Sequence, residues 1–334
     1  MRKLASIQRV TSVEPIENAD AIEKLKILGW TVVAKKSEFK TGDWCVFVEI
    51  DSILPEVPEF EFLRKNKFRI KTIRLRGVYS QGLALPIEVL SKKDINLTTM
   101  VEGEDVTELL GIEKYEPPVS VNMGGITFSF PSFIPKTDEP RIQTVPDVLE
   151  RHKGKIFYIT EKMDGTSCTF YKKDDHFGVC SRNLEIEKND NNLYWTVANK
   201  LHMDDKLEFV SGNFALQGEI CGPGIQSNKY KLDDYAFYVF NVYDIDNKEY
   251  LSFYEFIMFL EKIELNSVPV ISSSFRVPLT VEEMIEYSKF NSTVNPAIQA
   301  EGIVVRTKKE DTDFEIGRVS FKAINPDFLI KYDE

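Results

Sequence analysis

The sequence predicts an α+β protein in two parts: a small β-barrel over residues 1–115, then a linker over 116–135 and a larger strand-rich domain with a few helices over 136–334. Three observations predict it. A chain of 334 residues is long for one hydrophobic core. The first part is a succession of short strand-like runs parted by turn signals. A proline-rich segment, "KYEPPVSVNMGGITFSFPSFIPKTDEP", then punctuates the chain with five prolines and two adjacent glycines.

In order, "NADAIEKLKIL" before Gly29 reads as a short helix. "WTVVAKK", "DWCVFVEI", "KFRIKTIRLRG" and "GLALPI" read as strands, with "KTGD" and "LRG" as turns between them. About five strands and one helix suit a small barrel. The stretch "RKNKFRIKTIRLRG", Arg64 to Gly77, carries seven basic residues and no acidic one. Lys67, Arg69 and Lys71 alternate with apolar or small neighbours, and then the parity flips to Arg74 and Arg76. A bulge near Thr72 would put all five cations on one face of one strand. That face is either the solvated outside of a barrel strand or a surface for an anionic ligand.

Beyond the linker, "SFYEFIMFLEKI" is the clearest helix. Ser252 and Glu255 form a capping box, and Phe253, Phe256, Ile257 and Leu260 make one apolar stripe. "TVEEMIEYSKF" repeats the device with Thr280 and Glu283.

Composition narrows the chemistry. The formal net charge is −11, which argues against a chain coated for nucleic acid and leaves the basic segment as a local exception. No apolar run approaches membrane-spanning length, and "MRKLASIQRV" lacks the apolar centre of a signal peptide. Four scattered cysteines without a C-x-x-C pair predict reduced thiols in a cytoplasmic compartment. Three histidines, none at ligand spacing, speak against zinc, and the lack of G-x-S-x-G against a serine triad. Carboxylates, lysines and arginines remain, an inventory that suits Mg2+ or Mn2+ and phosphates.

Within "YITEKMDGTSCTFY", "FYIT" and "SCTFY" read as the two strands of a hairpin with Asp164-Gly165 as the turn. Lys162 is then either a solvated rim residue or a nucleophile held beside a carboxylate. A lysine attacking phosphorus must be neutral, and a divalent cation held by carboxylates on rigid strands would favour that form. Downstream, "VCSRN" places Arg182 at a strand end, "ALQGEICG" puts Glu219 on an apolar strand, and "FYVFNVYD" offers Tyr238 and Phe240 on one face. "AEGIVVR" sets Glu301 before a glycine, and "RVSFKAIN" sets Lys322 in an apolar strand. Each has a plain structural reading, as ion pair, core ring or strand terminus. Their joint occurrence in this order carries the weight.

That order resembles the covalent nucleotidyltransferase superfamily of ATP-dependent ligases and capping enzymes, whose six motifs match "EKMDGT", "SRN", "QGEI", "FYVFN", "AEGIVVR" and "SFKAIN". The N-terminal "SVEPIENADAIEKLKILGWTVVAKKSEFKTGDWCVFVEIDSILP" is similar to the OB-type module of one family of RNA ligases. The resemblance implies an OB-type barrel followed by an antiparallel-sheet, ATP-grasp-like adenylyltransferase domain. It implies that Lys162 takes AMP in a phosphoamide bond, with Glu161 beside it at the ATP site. Asp164, Glu219 and Glu301 would hold the metal directly or through waters. Arg182 would contact the ribose region, Phe240 would stack on adenine and Lys322 would touch the α-phosphate. In "PKTDEPRIQ", Lys136 or Arg141 would meet the ATP phosphates and Gln143 would lie near the base.

Two positions depart from the pattern. Ser320 stands where the last motif often has a further lysine, with Arg318 as a candidate substitute. Asn241 stands where the third motif often has aspartate, with Asp244 nearby. Twelve residues follow Lys322, too few for the C-terminal OB domain of DNA ligases and capping enzymes. The expected function is therefore ATP-dependent sealing of RNA 3′-OH and 5′-phosphate ends by a monomer, with Lys67, Arg69, Lys71, Arg74 and Arg76 as an RNA-binding stripe and no required protein partner. The alternatives are a DNA ligase, or an RNA- or tRNA-binding OB protein whose adenylyltransferase core does not ligate.

Overall fold

The structure, a computed structural model, describes residues 3–93, 100–115 and 124–332. These form two compact units. The first takes residues 3–93, 100–115, 142–148 and 326–332; the second takes 124–141 and 149–325. The division is thus not a single cut within 116–135, of which 116–123 lie outside the described residues. Two short pieces of the later sequence, including the helix Pro326–Tyr332, join the first unit.

In the first unit, Trp44–Val48 is the middle strand of an antiparallel sheet between Ala5–Arg9 and Leu83–Pro86. A second antiparallel sheet joins Ser12–Pro15, Ile22–Ile27 and Trp30–Lys35. The segment expected to be helical is therefore a strand. Leu25 and Ile27 are fully buried while Lys24 and Lys26, which alternate with them, are only partly so, a period of two. Pairing on both sides outweighs the helix propensity of alanine, glutamate and lysine. Ile7, Leu25, Ile27, Trp30, Val46, Phe47 and Val48 form the core, with Trp30 and Phe47 rings 5.9 Å apart.

The basic segment is not one strand. A 3-10 helix spans Pro58–Asn66, and Lys67 and Phe68 then take positive φ of 53° and 57°. Arg69–Ile70 pairs with Ser52–Ile53, whereas Ile73–Leu75 turns back on Val78–Ser80 in a separate hairpin. Two consecutive left-handed residues cannot continue an extended strand, and buried Thr72 separates the two short pieces. The five cations do not share the face of a single strand.

In the second unit, a seven-stranded antiparallel sheet runs Thr127–Ser129, Leu184–Ile186, His176–Ser181, Thr166–Lys173, Phe214–Cys221, Ala236–Asp244, Glu249–Tyr250. A four-stranded antiparallel sheet runs Val270–Phe275, Phe157–Glu161, Gly302–Thr307, Ser320–Ile324. One face of the larger sheet is covered by the helices Leu193–Lys200, Met203–Glu208 and Phe253–Lys262 through Phe170, Val179, Tyr194, Val197, Leu207, Phe256 and Leu260. Both capped helices form as the sequence predicts: Ser252 and Glu255 make the capping box, and Thr280 Oγ1 accepts from the Glu283 amide.

Candidate active site

Lys162 does not lie on a hairpin. Phe157–Glu161 is a middle strand of the four-stranded sheet, and Thr166–Lys173 is a middle strand of the seven-stranded one. Each already has two neighbours, so the strands cannot pair with each other, and residues 162–165 are the crossing from one sheet to the other. Two close approaches fix that crossing. A Cβ on Gly165 would lie 2.3 Å from the Ile220 carbonyl and 2.9 Å from Glu219 Cγ. A Cβ on Gly302, whose φ is 155°, would lie 2.2 Å from the Ala323 carbonyl. The Lys162 amide donates to the Gly302 carbonyl at 2.9 Å. The crossing is thereby set beside Glu219 and Glu301.

Lys162 Nζ donates to Glu301 Oε1 at 2.5 Å. Burial alone would lower the lysine's pKa, but Glu301, Glu219 and Asp164 outweigh it and raise the value. Glu219 moves up to about 8, chiefly through burial and then through the negative charge of Glu301 and Asp164; Lys162 and Arg182 oppose the shift. Asp164 pairs with Lys229, and its amide donates to the Tyr230 hydroxyl at 2.8 Å. Lys322 is lowered to about 8 by burial first, then by the like charges of Arg141 and Lys162, against the pull of Asp138 and Glu139.

Beside this charged group lies an apolar wall. Tyr238, Phe240, Val294 and Ile298 are partly buried and pack on Met163, Cys221, Tyr230 and Val268. Phe240 has the Arg306 guanidinium 5.8 Å from its ring centre. Glu161 stands at the edge of the wall, near enough for its charge to act on Tyr238 and Cys221. Its Oε2 accepts from the Thr293 amide at 2.9 Å and hydroxyl at 2.7 Å, while its Oε1 is buried with no hydrogen-bond partner.

The remaining expected residues fall as follows. Arg182 and Lys322 converge on Asp138, at 3.2 and 3.3 Å. Arg141 is buried and bridges to Lys322 along the backbone, and exposed Lys136 lies 5.8 Å over Phe130. Gln143 belongs to the first unit, where its amide donates to Gln81. Arg318 is committed to a bidentate pair with Glu310, to Asn241 and to the Tyr250 ring, so it is not a cation held for phosphate. Asn241 also donates to Gln217, and Asp244 accepts from Asn247. Sequence reasoning missed Asp138, Lys229, Tyr230, Thr293 and Arg306. They are polar residues in loops or an apolar strand, and only the fold brings them to the cleft.

Carboxylate oxygens are the donors a hard divalent cation takes. Glu301 Oε2 is buried without a hydrogen-bond partner, and Glu219 is raised by burial and then by its anionic neighbours, so both would gain from a cation. Among the described residues, no three Asp, Glu, His or Cys side chains gather closely enough to ligate one bare ion. The donor set therefore fits an ion held by Glu219 and Glu301 together with waters. Asp164 is engaged with Lys229.

A lysine at a sheet crossing, faced by carboxylates and flanked by an aromatic wall and two converging cations, suits transfer of a nucleotide through the lysine. The sequence model of the RNA ligase family matches residues 155–324, half of the chain, and an OB-fold domain model matches residues 4–87. The chain belongs to the RNA ligase family. Among solved structures, it is similar to Naegleria gruberi RNA ligase in a glutamate-to-alanine mutant with AMP and Mn, at 38% identity and TM-score 0.90, covering 99% of each chain. A lysine-to-alanine mutant of that ligase with ATP and Mn matches at 38% identity and TM-score 0.90, covering 98% of this chain and 99% of that one. The same ligase with PPi matches at 39% identity and TM-score 0.90, covering 100% of this chain and 99% of that one. No curated protein sequence matches the chain.

Proposed function

We propose that the chain is an ATP-dependent RNA ligase that works through lysyl-AMP at Lys162. The observation that carries this reading is the position of Lys162: it is held at the crossing of two sheets, against Glu301, in a chain of the RNA ligase family. In the first step Nζ, having lost a proton, attacks the α-phosphorus of ATP. A P–N bond forms and the P–O bond to pyrophosphate breaks. The AMP then passes to an RNA 5′-phosphate, freeing Lys162. A 3′-OH attacks that phosphate, closing the phosphodiester and releasing AMP. Arg182 and Lys322 are the cations that meet developing negative charge on phosphate oxygens.

Glu219 and Glu301 would hold Mg2+ or Mn2+, which supplies countercharge to the phosphates and weakens the hold of the carboxylates on the Lys162 proton. The wall of Tyr238 and Phe240 receives the base. Glu161 Oε1, an acceptor with no partner, suits the amino group of adenine and gives a reason for ATP over GTP.

RNA contact by the first unit falls to fewer cations than a single stripe would give. Exposed Lys67, Arg74 and Arg76 are the candidates, the last two on the hairpin that Ile73–Leu75 opens. Arg69 stacks on Tyr115 at 3.6 Å and Lys71 is half-buried. An intracellular, reducing setting suits four free cysteines that are all buried. Among the described residues, no helix is long and apolar enough to cross a membrane.

The test is sealing of nicked RNA with ATP and Mn2+ or Mg2+. Joining should require a 5′-phosphate and a 3′-OH. Lys162→Ala should abolish joining with ATP but retain part of it on a strand whose 5′-phosphate is already adenylylated. Loss of both activities in a folded Lys162→Ala chain would contradict the assignment.

A further inference from the structure

Asp138 stands where the proposed reaction needs phosphate. Its Oδ1 pairs with Arg182 Nη2 at 3.2 Å and accepts from Lys322 Nζ at 3.3 Å. Arg182 follows the strand His176–Ser181, and Lys322 lies on Ser320–Ile324 in the other sheet. Two cations from two sheets thus meet on one anionic oxygen.

The meeting is built into the backbone. Glu139, the next residue, accepts from Arg306 Nη2 at 2.7 Å and from Ser320 Oγ at 3.3 Å. The Pro140 carbonyl accepts from the Lys322 amide at 2.9 Å. Glu139 is thus pinned to one sheet by a deeply buried arginine, and Pro140 to the same sheet by backbone. Asp138, one residue earlier, is presented to the exposed side. Its side chain is 47% exposed and that of Arg182 is 48% exposed, so the contact is screened and easily exchanged. A nucleotide phosphate brings more negative charge to the same two cations, and arginine binds it in bidentate fashion.

We propose that Asp138 is an internal competitor for nucleotide phosphate: it holds Arg182 and Lys322 together and turns out to solvent as a phosphate oxygen replaces it. The inference rests on the nucleotide reading of this cleft. The competing carboxylate weakens ATP binding and keeps the two cations gathered between catalytic cycles. It also provides an anion to take them back when pyrophosphate or AMP leaves, which favours product release.

The test uses the full chain with Asp138→Asn and Asp138→Ala, following lysyl-AMP formation against ATP concentration. Removing the competitor should lower the KM for ATP roughly three- to tenfold, the range expected of two partly exposed ion pairs. Inorganic pyrophosphate should inhibit at a concentration lower by the same factor. Adenosine, which lacks phosphate, should inhibit wild type and variants alike. A KM for ATP that is unchanged or raised in both variants would overturn the proposal; a rise would make Asp138 a positioning residue. An equal shift for adenosine would overturn it too, since the effect would then not concern phosphate. Wild-type chain that forms no lysyl-AMP would instead sink the parent reading of the cleft.

Discussion

Glu161→Gln should change which nucleotide the enzyme takes. In the wild type, one carboxylate oxygen is anchored by the Thr293 amide and hydroxyl, at 2.9 and 2.7 Å, and the other is a buried acceptor without a partner. A glutamine must direct its carbonyl oxygen toward the two Thr293 donors, because its NH2 cannot accept from them. Its amide nitrogen then occupies the Oε1 position. A donor faces the exocyclic amino group of adenine, and the charge-assisted bond is lost. Such a bond is worth about 1.5–3 kcal/mol, so the KM for ATP should rise roughly ten- to hundredfold. A purine with a carbonyl at that position, as in ITP or GTP, should become a better substrate than it is for wild type. The assay is formation of protein-bound nucleotide from α-labelled ATP, ITP and GTP, with thermal melting to show that the variant is folded. Unchanged KM for ATP together with no gain for ITP would refute the reasoning. The placement of Glu161 against the base would then be wrong.

Three other outcomes are expected. Glu219→Gln and Glu301→Gln should each slow lysyl-AMP formation about a hundredfold or more at saturating Mn2+, because charge rather than shape is what the phosphates and the ion require; near-normal labelling in either would remove it from the metal set. Asp313, bonded to Arg151 at 2.8 and 3.0 Å and to buried His152 at 2.8 Å, has its carboxyl held well below the usual range, chiefly by Arg151. Its depressed value stabilises the fold above about pH 4, and this stabilisation is lost as pH falls through the folded-state value. Asp313→Asn should therefore lower the Tm at pH 7, by about 1–3 kcal/mol in stability, with the gap narrowing in acid; a gap independent of pH would contradict the pairing. Replacing Arg74 and Arg76 by Ala should weaken RNA binding and reduce the salt slope by roughly 0.7–0.9 for each phosphate no longer neutralised, leaving lysyl-AMP formation intact; an unchanged slope would take the hairpin out of the RNA surface.

Much of the second unit was legible because its residues carry their context with them. Glu219 and Lys322 are charges in otherwise apolar strands, Glu301 precedes a glycine that no other residue could replace, and Ser252 and Glu255 announce a helix start. What the sequence concealed was pairing. "FYIT" and "SCTFY" flank Asp164-Gly165 as a hairpin would, yet each strand is satisfied by neighbours far away in sequence, so the lysine lies between sheets. Alternation from Lys67 to Lys71 reads as strand, but two positive φ values at Lys67 and Phe68 are invisible to periodicity. In Ile22–Ile27, helix-forming residues yield to pairing with Trp30–Lys35. Asp138 and Thr293 gave no signal at all, since each meets its partners only through other strands or loops.

Covalent catalysis at Lys162 is tested by incubating the purified chain with α-labelled ATP and Mn2+, denaturing it, and mapping the labelled peptide by mass spectrometry. The expected result is one AMP per chain, joined through an acid-labile and alkali-stable P–N bond at Lys162 and discharged by pyrophosphate. AMP on any other residue, or no bond that survives denaturation, would contradict the lysyl-AMP mechanism.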